Sequence, residues 1–254
     1  AEFQESPAAA AVELFSKIYA VGPAKIKELI EKRQIYTIEN LQKAVVTEPK
    51  LLNAKQKLGL KYYIDLNTRI PRAEITKFKK LVEKIIKTKF DNKIDMTIAG
   101  SYRRGVATSG DMDMLISSCH YENEALPLIL KELEESGLVK EVLAKGKKKS
   151  MGLVQFEGKP VRHLDIVETS QKDYPFAMLY FTGSGPFNIQ MRKHALDLGY
   201  SINEYNMTLK SDKKKEVPKS EIIKRIGKEE FETENDIFDF VGIPYRVPKK
   251  RTTL

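Results

Sequence analysis

The stretch that most constrains this chain is Ser109-Gly110-Asp111-Met112-Asp113-Met114-Leu115-Ile116-Ser117, two carboxylates one residue apart at the head of an apolar, strand-like run. Side chains alternate faces along a strand, so Asp111 and Asp113 project together while Met112 packs behind them. Hard carboxylate oxygens on one face suit a divalent cation of the Mg²⁺ kind, which retains waters and completes its shell with phosphate oxygens. Just upstream stands Gly100-Ser101-Tyr102-Arg103-Arg104-Gly105. There Gly100 and Ser101 permit close approach of backbone and hydroxyl to a triphosphate, and Arg104 supplies charge. An Asp-x-Asp by itself is usually a pair of solvated loop carboxylates; the company it keeps here argues for a site.

Chemistry with two metal ions needs a further ligand beside the attacking group. Asp165 is the candidate, within His163-Leu164-Asp165-Ile166-Val167. Alternation predicts that Leu164 and Ile166 face a core and that Asp165 shares a side with His163 and Val167. An Asp in such a strand is costly unless paired or metal-bound. An edge-strand Asp facing solvent fits this segment equally well.

The remaining residues set bounds. With 254 residues, 41% of them hydrophobic, the chain can bury a sizeable core in one to three compact units. No apolar run approaches the roughly 20 residues of a bilayer span, and the opening AEFQESPAAAA lacks a secretory pattern. A soluble, non-exported protein is expected. The single Cys119 excludes an internal disulfide and cysteine metal clusters, which fits a reducing compartment. A net charge of +9 calls for a polyanionic partner, nucleic acid first, although composition alone leaves an anionic membrane surface open.

Along the chain, residues 1–10 read as a loose terminus, and from Ala8 to Ile86 the pattern is helical. Residues 97–100 and 112–117 read as strands joined by a Gly/Ser-rich turn, with a helix over 123–136. Strands follow at 141–145, 150–158 and 161–169, with short turns that suggest antiparallel pairing. Residues 175–183 read as a strand, 186–199 as a helix. This is an α+β pattern, without internal repeats or long linkers.

Gly22 and Pro23 lie between two short helical patterns, as a helix-hairpin-helix requires. Such a turn aims backbone N–H groups and a helix start at a DNA phosphate, without reading sequence. An ordinary αα-hairpin turn has the same sequence appearance. Tyr180-Phe181-Thr182-Gly183-Ser184 puts an aromatic pair at a tight turn, placed to block a ribose 2′-hydroxyl, ahead of a helix whose Asn188, Gln190 and Arg192 could meet a base-pair edge. The two aromatics read equally well as core. His163 alone of the three histidines lies near the chemistry. The Lys runs 147–149 and 213–215 are solvated turns that add phosphate attraction.

At GSYRRG, SGDMD, LDI, YFTGS and INEY, with NAKQKLGLKYYIDLNTRIPRAE upstream, the sequence resembles the family X DNA polymerases, the beta-type members in particular. The likeness runs from about Phe15 to the C-terminus. It implies a helical helix-hairpin-helix duplex-binding subdomain (11–70), a nucleotidyltransferase palm with a mixed or antiparallel sheet (71–180), and a smaller α+β subdomain that binds the nascent base pair (181–254). The implied activity is template-directed DNA synthesis, dNTP onto a primer 3′-hydroxyl, as in gap filling during base excision repair.

The resemblance makes Asp111, Asp113 and Asp165 ligands of two Mg²⁺ ions, for which Mn²⁺ can substitute, with Asp165 nearest the primer oxygen. The triphosphate would lie against Arg69, Ser101, Arg104, Gly110 and Gly183. Tyr180 and Phe181 match the sugar-discriminating turn, Asn188 the contact to the incoming nucleotide and Arg192 the template-side contact. Gly22, Lys25, Arg103 and Glu204 fall on the DNA-binding side, Glu204 as a support of closure. Carbonyls of Ser16, Ile18 and Val21 would hold a monovalent cation. The implied partners are gapped or primer-template DNA and dNTP, for a monomer acting in the nucleus or wherever a genome, a viral one included, is repaired.

The sequence also departs from the family. Its small amino-terminal domain with a Schiff-base lysine has no counterpart here, so no lyase activity is expected. His163 and Val167 stand where beta-type members have Arg, and Gly185 where they have Asp, which touches closure and base selection. A template-independent terminal transferase shares the motifs but carries a longer connection than the FEGKP between Gln155 and Val161. An RNA-tailing nucleotidyltransferase would lack the hairpin and YFTGS. A non-catalytic DNA-binding adaptor would have no use for three intact carboxylates.

Overall fold

The computed structural model describes residues 6–252, which form two compact units. The first comprises the described residues up to Thr68 together with Phe156–Arg162, and the second comprises Arg69–Gln155 and the chain from His163 onward. Residues 1–5 of the expected loose terminus lie outside the described residues. From Ser6 on that expectation fails. Ser6 caps helix α1 (Pro7–Ser16) by accepting a bond from the Ala9 N–H at 3.2 Å, and Pro7 fits the first helical turn, where no N–H is needed.

In the first unit, Gly22 precedes α2 (Pro23–Lys27), which runs on into one wider turn, Glu28–Lys32. Thr37 caps α3 (Ile38–Thr47). Asn53 and Gln56 form a capping box at the start of α4 (Ala54–Lys61), followed by the single turn α5 (Tyr63–Leu66). Phe15, Leu29, Leu41 and Leu51 are buried together between these helices.

The second unit begins with a two-residue strand, β1 (Ile70–Pro71), and a long helix, α6 (Arg72–Phe90). Ile75, Phe78, Val82, Ile86 and Phe90 recur every three or four residues and make its buried stripe. The chain then forms β2 (Asp95–Ile98), a single helical turn α7 (Gly100–Arg103), β3 (Thr108–Ser109) and β4 (Met112–Ser117). The expected Gly/Ser-rich turn is therefore structured: it holds α7, and β3 pairs back onto β1.

Helix α8 (Ala125–Glu135), β5 (Val139–Lys145), β6 (Lys149–Gln155) and β7 (Val161–Glu168) follow. The five-stranded sheet has the order β2-β4-β7-β6-β5. Strands β2 and β4 are antiparallel, as are β5 and β6, but β4 and β7 run parallel, which makes the sheet mixed. The parallel pair needs a long crossover, which α8 and the β5–β6 hairpin supply.

Residues 175–183 correct the sequence reading. They belong to a helix, α9 (Tyr174–Thr182), not a strand. The run is apolar all round, so it shows no period of either kind. One side meets Ala99 and Leu115 of the sheet through Ala177, while Phe176 and Leu179 enter the C-terminal core. Pro175 in the first turn was the helix signal. Ser184 then caps α10 (Gly185–Asp197). The antiparallel hairpin β8 (Tyr200–Ile202) and β9 (Met207–Leu209), α11 (Lys219–Ile226) and α12 (Glu234–Val241) close around Phe187, Phe238 and Phe240. No helix among the described residues is long and apolar enough to cross a membrane.

Candidate active site

Parallel pairing sets Asp113 of β4 directly opposite Asp165 of β7. Met112, Met114, Leu164 and Ile166 are buried, while Asp113 and Asp165 are half-buried on the other face and Asp111 is exposed just before β4. The alternation expected from the sequence thus brings the carboxylates to one side of two adjacent strands. His163 shares that side, its Nε2 lying 3.0 Å from Asp165 Oδ1.

The electrostatics are those of a cation site. Burial pushes the Asp113 carboxyl up to about 7, and the charges of Asp111 and Asp165 add to it, while His163 and Lys149 act in the opposite sense. Burial would depress the His163 imidazole, but the bond to Asp165 and the surrounding carboxylates outweigh it and raise its pKa. Such an arrangement of hard oxygen donors in mutual repulsion fits divalent cations. Among the described residues no three such groups already form a metal-binding cluster, so holding an ion requires the side chains to draw together. Gly100 leaves them room: a Cβ there would lie 2.7 Å from Asp113 Oδ2, and its φ of +60° already disfavours a side chain.

A cleft of about 480 Å³ opens over these carboxylates. Ser101, Arg104, Asp111, Asp113, Tyr180, Phe181, Gly183, Asn188 and Arg192, nine of the predicted site residues, line it. The Ser101 hydroxyl donates to Ser109 Oγ at 2.8 Å. Arg69 donates to the Thr108 carbonyl at 2.8 Å and to its hydroxyl at 3.1 Å, which holds the guanidinium against Gly110. The Tyr180 and Phe181 rings meet edge to face, 5.0 Å between centroids. Asn188 Nδ2 donates to the Tyr180 carbonyl at 2.7 Å, which ties α10 to the end of α9.

Gly183, like Gly100, is a position there that only glycine fits easily. Its φ of +67° and ψ of −152° lie where side chains are strained, and a Cβ would come 3.2 Å from Arg104 Nη1. Arg104 itself donates to the Thr182 carbonyl at 2.7 Å. Gly183→Ala is expected to displace Arg104 and, for the activity that the resemblance implies, to lower kcat/KM by roughly 10- to 100-fold, the cost of about 1–3 kcal/mol of backbone strain. Steady-state kinetics with a melting curve as folding control checks this.

Two residues expected against DNA also bond within the protein. Arg103 forks onto Glu234 of α12, 2.5 and 3.1 Å, and donates to Thr182 Oγ1 at 2.8 Å. Lys25 bonds the Leu51 carbonyl at 2.9 Å and pairs with Glu28 at 2.7 Å. Glu234 is buried beneath Arg103, while Lys25 and Glu28 stay partly exposed. Glu204 lies at the tip of the β8–β9 hairpin, where Asn203 Oδ1 accepts the N–H groups of Tyr205 and Asn206, and it lines a second cavity that shares Tyr180 and Phe181. In the first unit the Ile18 carbonyl accepts the Val21 N–H at 3.2 Å, within the turn that also carries Ser16.

Nothing in the sequence pointed to Arg251. It is fully buried, pairs with Glu234 Oε2, which Arg103 Nη1 also reaches, and stacks over Phe238 and Tyr245. Its carbonyl accepts the Ser184 N–H at 3.0 Å, and the next carbonyl, of Thr252, accepts the Ser184 hydroxyl at 2.9 Å. The chain Arg251–Glu234–Arg103 therefore couples the turn after α9 to the α7 turn that carries Ser101 and Arg104.

Comparison with known proteins agrees with this geometry. The profile of the fingers domain of DNA polymerase lambda matches residues 13–67, that of the DNA polymerase beta palm residues 69–171, and that of the DNA polymerase beta thumb residues 177–252. DNA polymerase lambda of Arabidopsis thaliana is 29% identical over 94% of this chain, which spans 46% of that protein. DNA polymerase lambda of Rattus norvegicus is also 29% identical over 94% of the chain, here 42% of the relative. The chain thus spans just under half the length of these relatives. With palm, thumb and fingers profiles in unbroken order over paired carboxylates and a phosphate-sized cleft, this chain belongs to family X of the DNA polymerases.

Proposed function

We propose that the protein is a template-directed DNA polymerase that adds a dNTP to a primer 3′-hydroxyl, filling gaps in damaged DNA. The observation that carries this reading is the register of Asp113 opposite Asp165, beneath a cleft lined by Ser101, Arg104 and the Tyr180–Phe181 pair. Residues 11–70 grip the duplex, 71–180 carry the chemistry and 181–254 close over the new base pair.

Asp111, Asp113 and Asp165 hold two Mg²⁺ ions, which supply Lewis acidity to the attacking hydroxyl and the triphosphate. Asp165, kept in place by His163, faces the primer terminus. Arg69, Ser101, Gly110, Arg104 and Gly183 receive the triphosphate, with Arg104 held by its bond to the Thr182 carbonyl. The primer oxygen attacks the α-phosphorus and pyrophosphate leaves. Tyr180 and Phe181 exclude a 2′-hydroxyl, and Asn188 and Arg192 follow the base pair. The carbonyls of Ser16, Ile18 and Val21 would hold a monovalent cation, which would supply positive charge toward DNA near Gly22. The protein acts as a monomer on gapped DNA in the nucleus or at another site of genome repair.

The test is extension of a labelled primer on a one-nucleotide-gapped duplex with each dNTP singly, in Mg²⁺ and in Mn²⁺, against Asp165→Ala. Addition of the complementary nucleotide alone, absent in the variant, upholds the reading. Indifferent addition points to terminal transfer, and DNA binding without addition to an adaptor.

A further inference from the structure

The hairpin of the first unit contains a strained turn. After α1 the chain passes through Lys17–Val21 to Gly22, and Ala20 sits at φ +66°, a conformation unfavourable for alanine. Donors from one later segment hold this turn. Gln56, almost fully buried, donates Nε2 to the Ala20 carbonyl at 3.2 Å. Asn67 Nδ2 donates to the Lys17 carbonyl at 3.0 Å, and the Tyr63 hydroxyl to the Leu14 carbonyl at 3.4 Å. Every third carbonyl, 14, 17 and 20, is thus taken by a side chain from residues 56–67. Gly59 brings the backbone of α4 against the turn itself: a Cβ there would lie 2.4 Å from the Tyr19 oxygen.

We infer that Gln56–Asn67 is a brace that sets the hairpin backbone in the form that grips duplex DNA, with Gln56, Gly59 and Asn67 as positioning residues. The inference rests on the reading of the hairpin as a phosphate grip. Phosphate contacts of this kind depend on the direction of backbone groups, and affinity rises when that direction is fixed before binding. A turn strained at Ala20 relaxes once its tether is cut.

Gln56 separates bracing from folding because its two ends do different work. Its Oε1 accepts the Asn53 N–H at 3.0 Å in the capping box, while Nε2 alone reaches the turn. Gln56→Glu keeps the acceptor and removes the donor. Ala54→Glu, exposed at the start of the same helix, adds the same charge without touching the turn.

The experiment measures fluorescence anisotropy of labelled gapped duplex with the full chain, and KM for DNA separately from kcat. Gln56→Glu is expected to weaken binding about 3- to 10-fold, the worth of one hydrogen bond, with the loss in KM rather than kcat and Ala54→Glu within about 2-fold of wild type. Gly59→Ala is expected to weaken binding further; should it fail to fold, Gln56→Glu carries the test. Binding by Gln56→Glu within 2-fold of wild type, equal weakening by Ala54→Glu, or a fall in kcat parallel to melting temperature would each overturn the brace. Wild type that binds duplex but adds no nucleotide overturns the polymerase reading and leaves the brace to be judged by the binding data.

Discussion

Asp113→Asn is expected to reduce nucleotide addition by about 10³-fold or more while making the metal-free protein more stable. The activity loss follows, on the proposed reading, from deleting one of three carboxylates that would hold the cations, whose contribution would be several kcal/mol of transition-state stabilisation. The stability gain has a separate cause. The carboxyl ordinarily ionises near 3.8, and burial with its negative neighbours raises it to about 7. That difference bounds the gain at about 4 kcal/mol, and relaxation of the site reduces the expectation to roughly 1–3 kcal/mol.

The pH dependence has a definite sign. Between about pH 4 and 7 the folded chain keeps a proton on Asp113 that the unfolded chain has lost, so metal-free stability falls as pH rises through that window. Below about pH 4 the wild type and Asp113→Asn should melt alike, and by pH 7 the variant should melt several degrees higher. Thermal melts in chelator across this range decide the matter. A variant no more stable at pH 7 would mean that the strand tolerates the charge.

Glu234→Gln should have the largest effect on stability. Arg251 is wholly buried against this carboxylate, and Arg103 takes the opposite oxygen at 2.5 Å. Removing the negative charge leaves a guanidinium in a site without water, a cost of about 3–5 kcal/mol. Denaturant unfolding of the variant should show it. Replacing Arg251 by Met together with Glu234→Gln should recover much of the loss, because an apolar side chain can fill the stack between Phe238 and Tyr245. The single variant should also raise KM for dNTP, since Arg103 adjoins Ser101 and Arg104.

What the sequence made legible follows from the range of each signal. Asp111 and Asp113 declare their shared face through a two-residue period that needs only local geometry, and Asp165 does so through Leu164 and Ile166. The parallel partnership of β4 and β7 is different, because nothing local distinguishes a strand that pairs with its hairpin neighbour from one that reaches across α8 and two further strands. Helix α9 escaped because an element apolar on all sides carries no period. The pairing of Arg103 with Glu234 was not legible, because the two lie 131 residues apart and a cation's sequence neighbours do not reveal which carboxylate it meets.

The parallel pairing of Asp113 with Asp165 also works as a ruler. Adjacent strands stand about 4.8 Å apart, a spacing fixed by the peptide hydrogen bond and not by any side chain. Two catalytic cations sit about 3.5–4 Å apart. Carboxylates rooted at neighbouring rungs therefore start within easy reach of that separation, set by the backbone before any side chain is chosen. A slip of one residue in β7 would turn Asp165 into the core and Leu164 toward the cleft, so the alignment of two strands is itself a catalytic dimension.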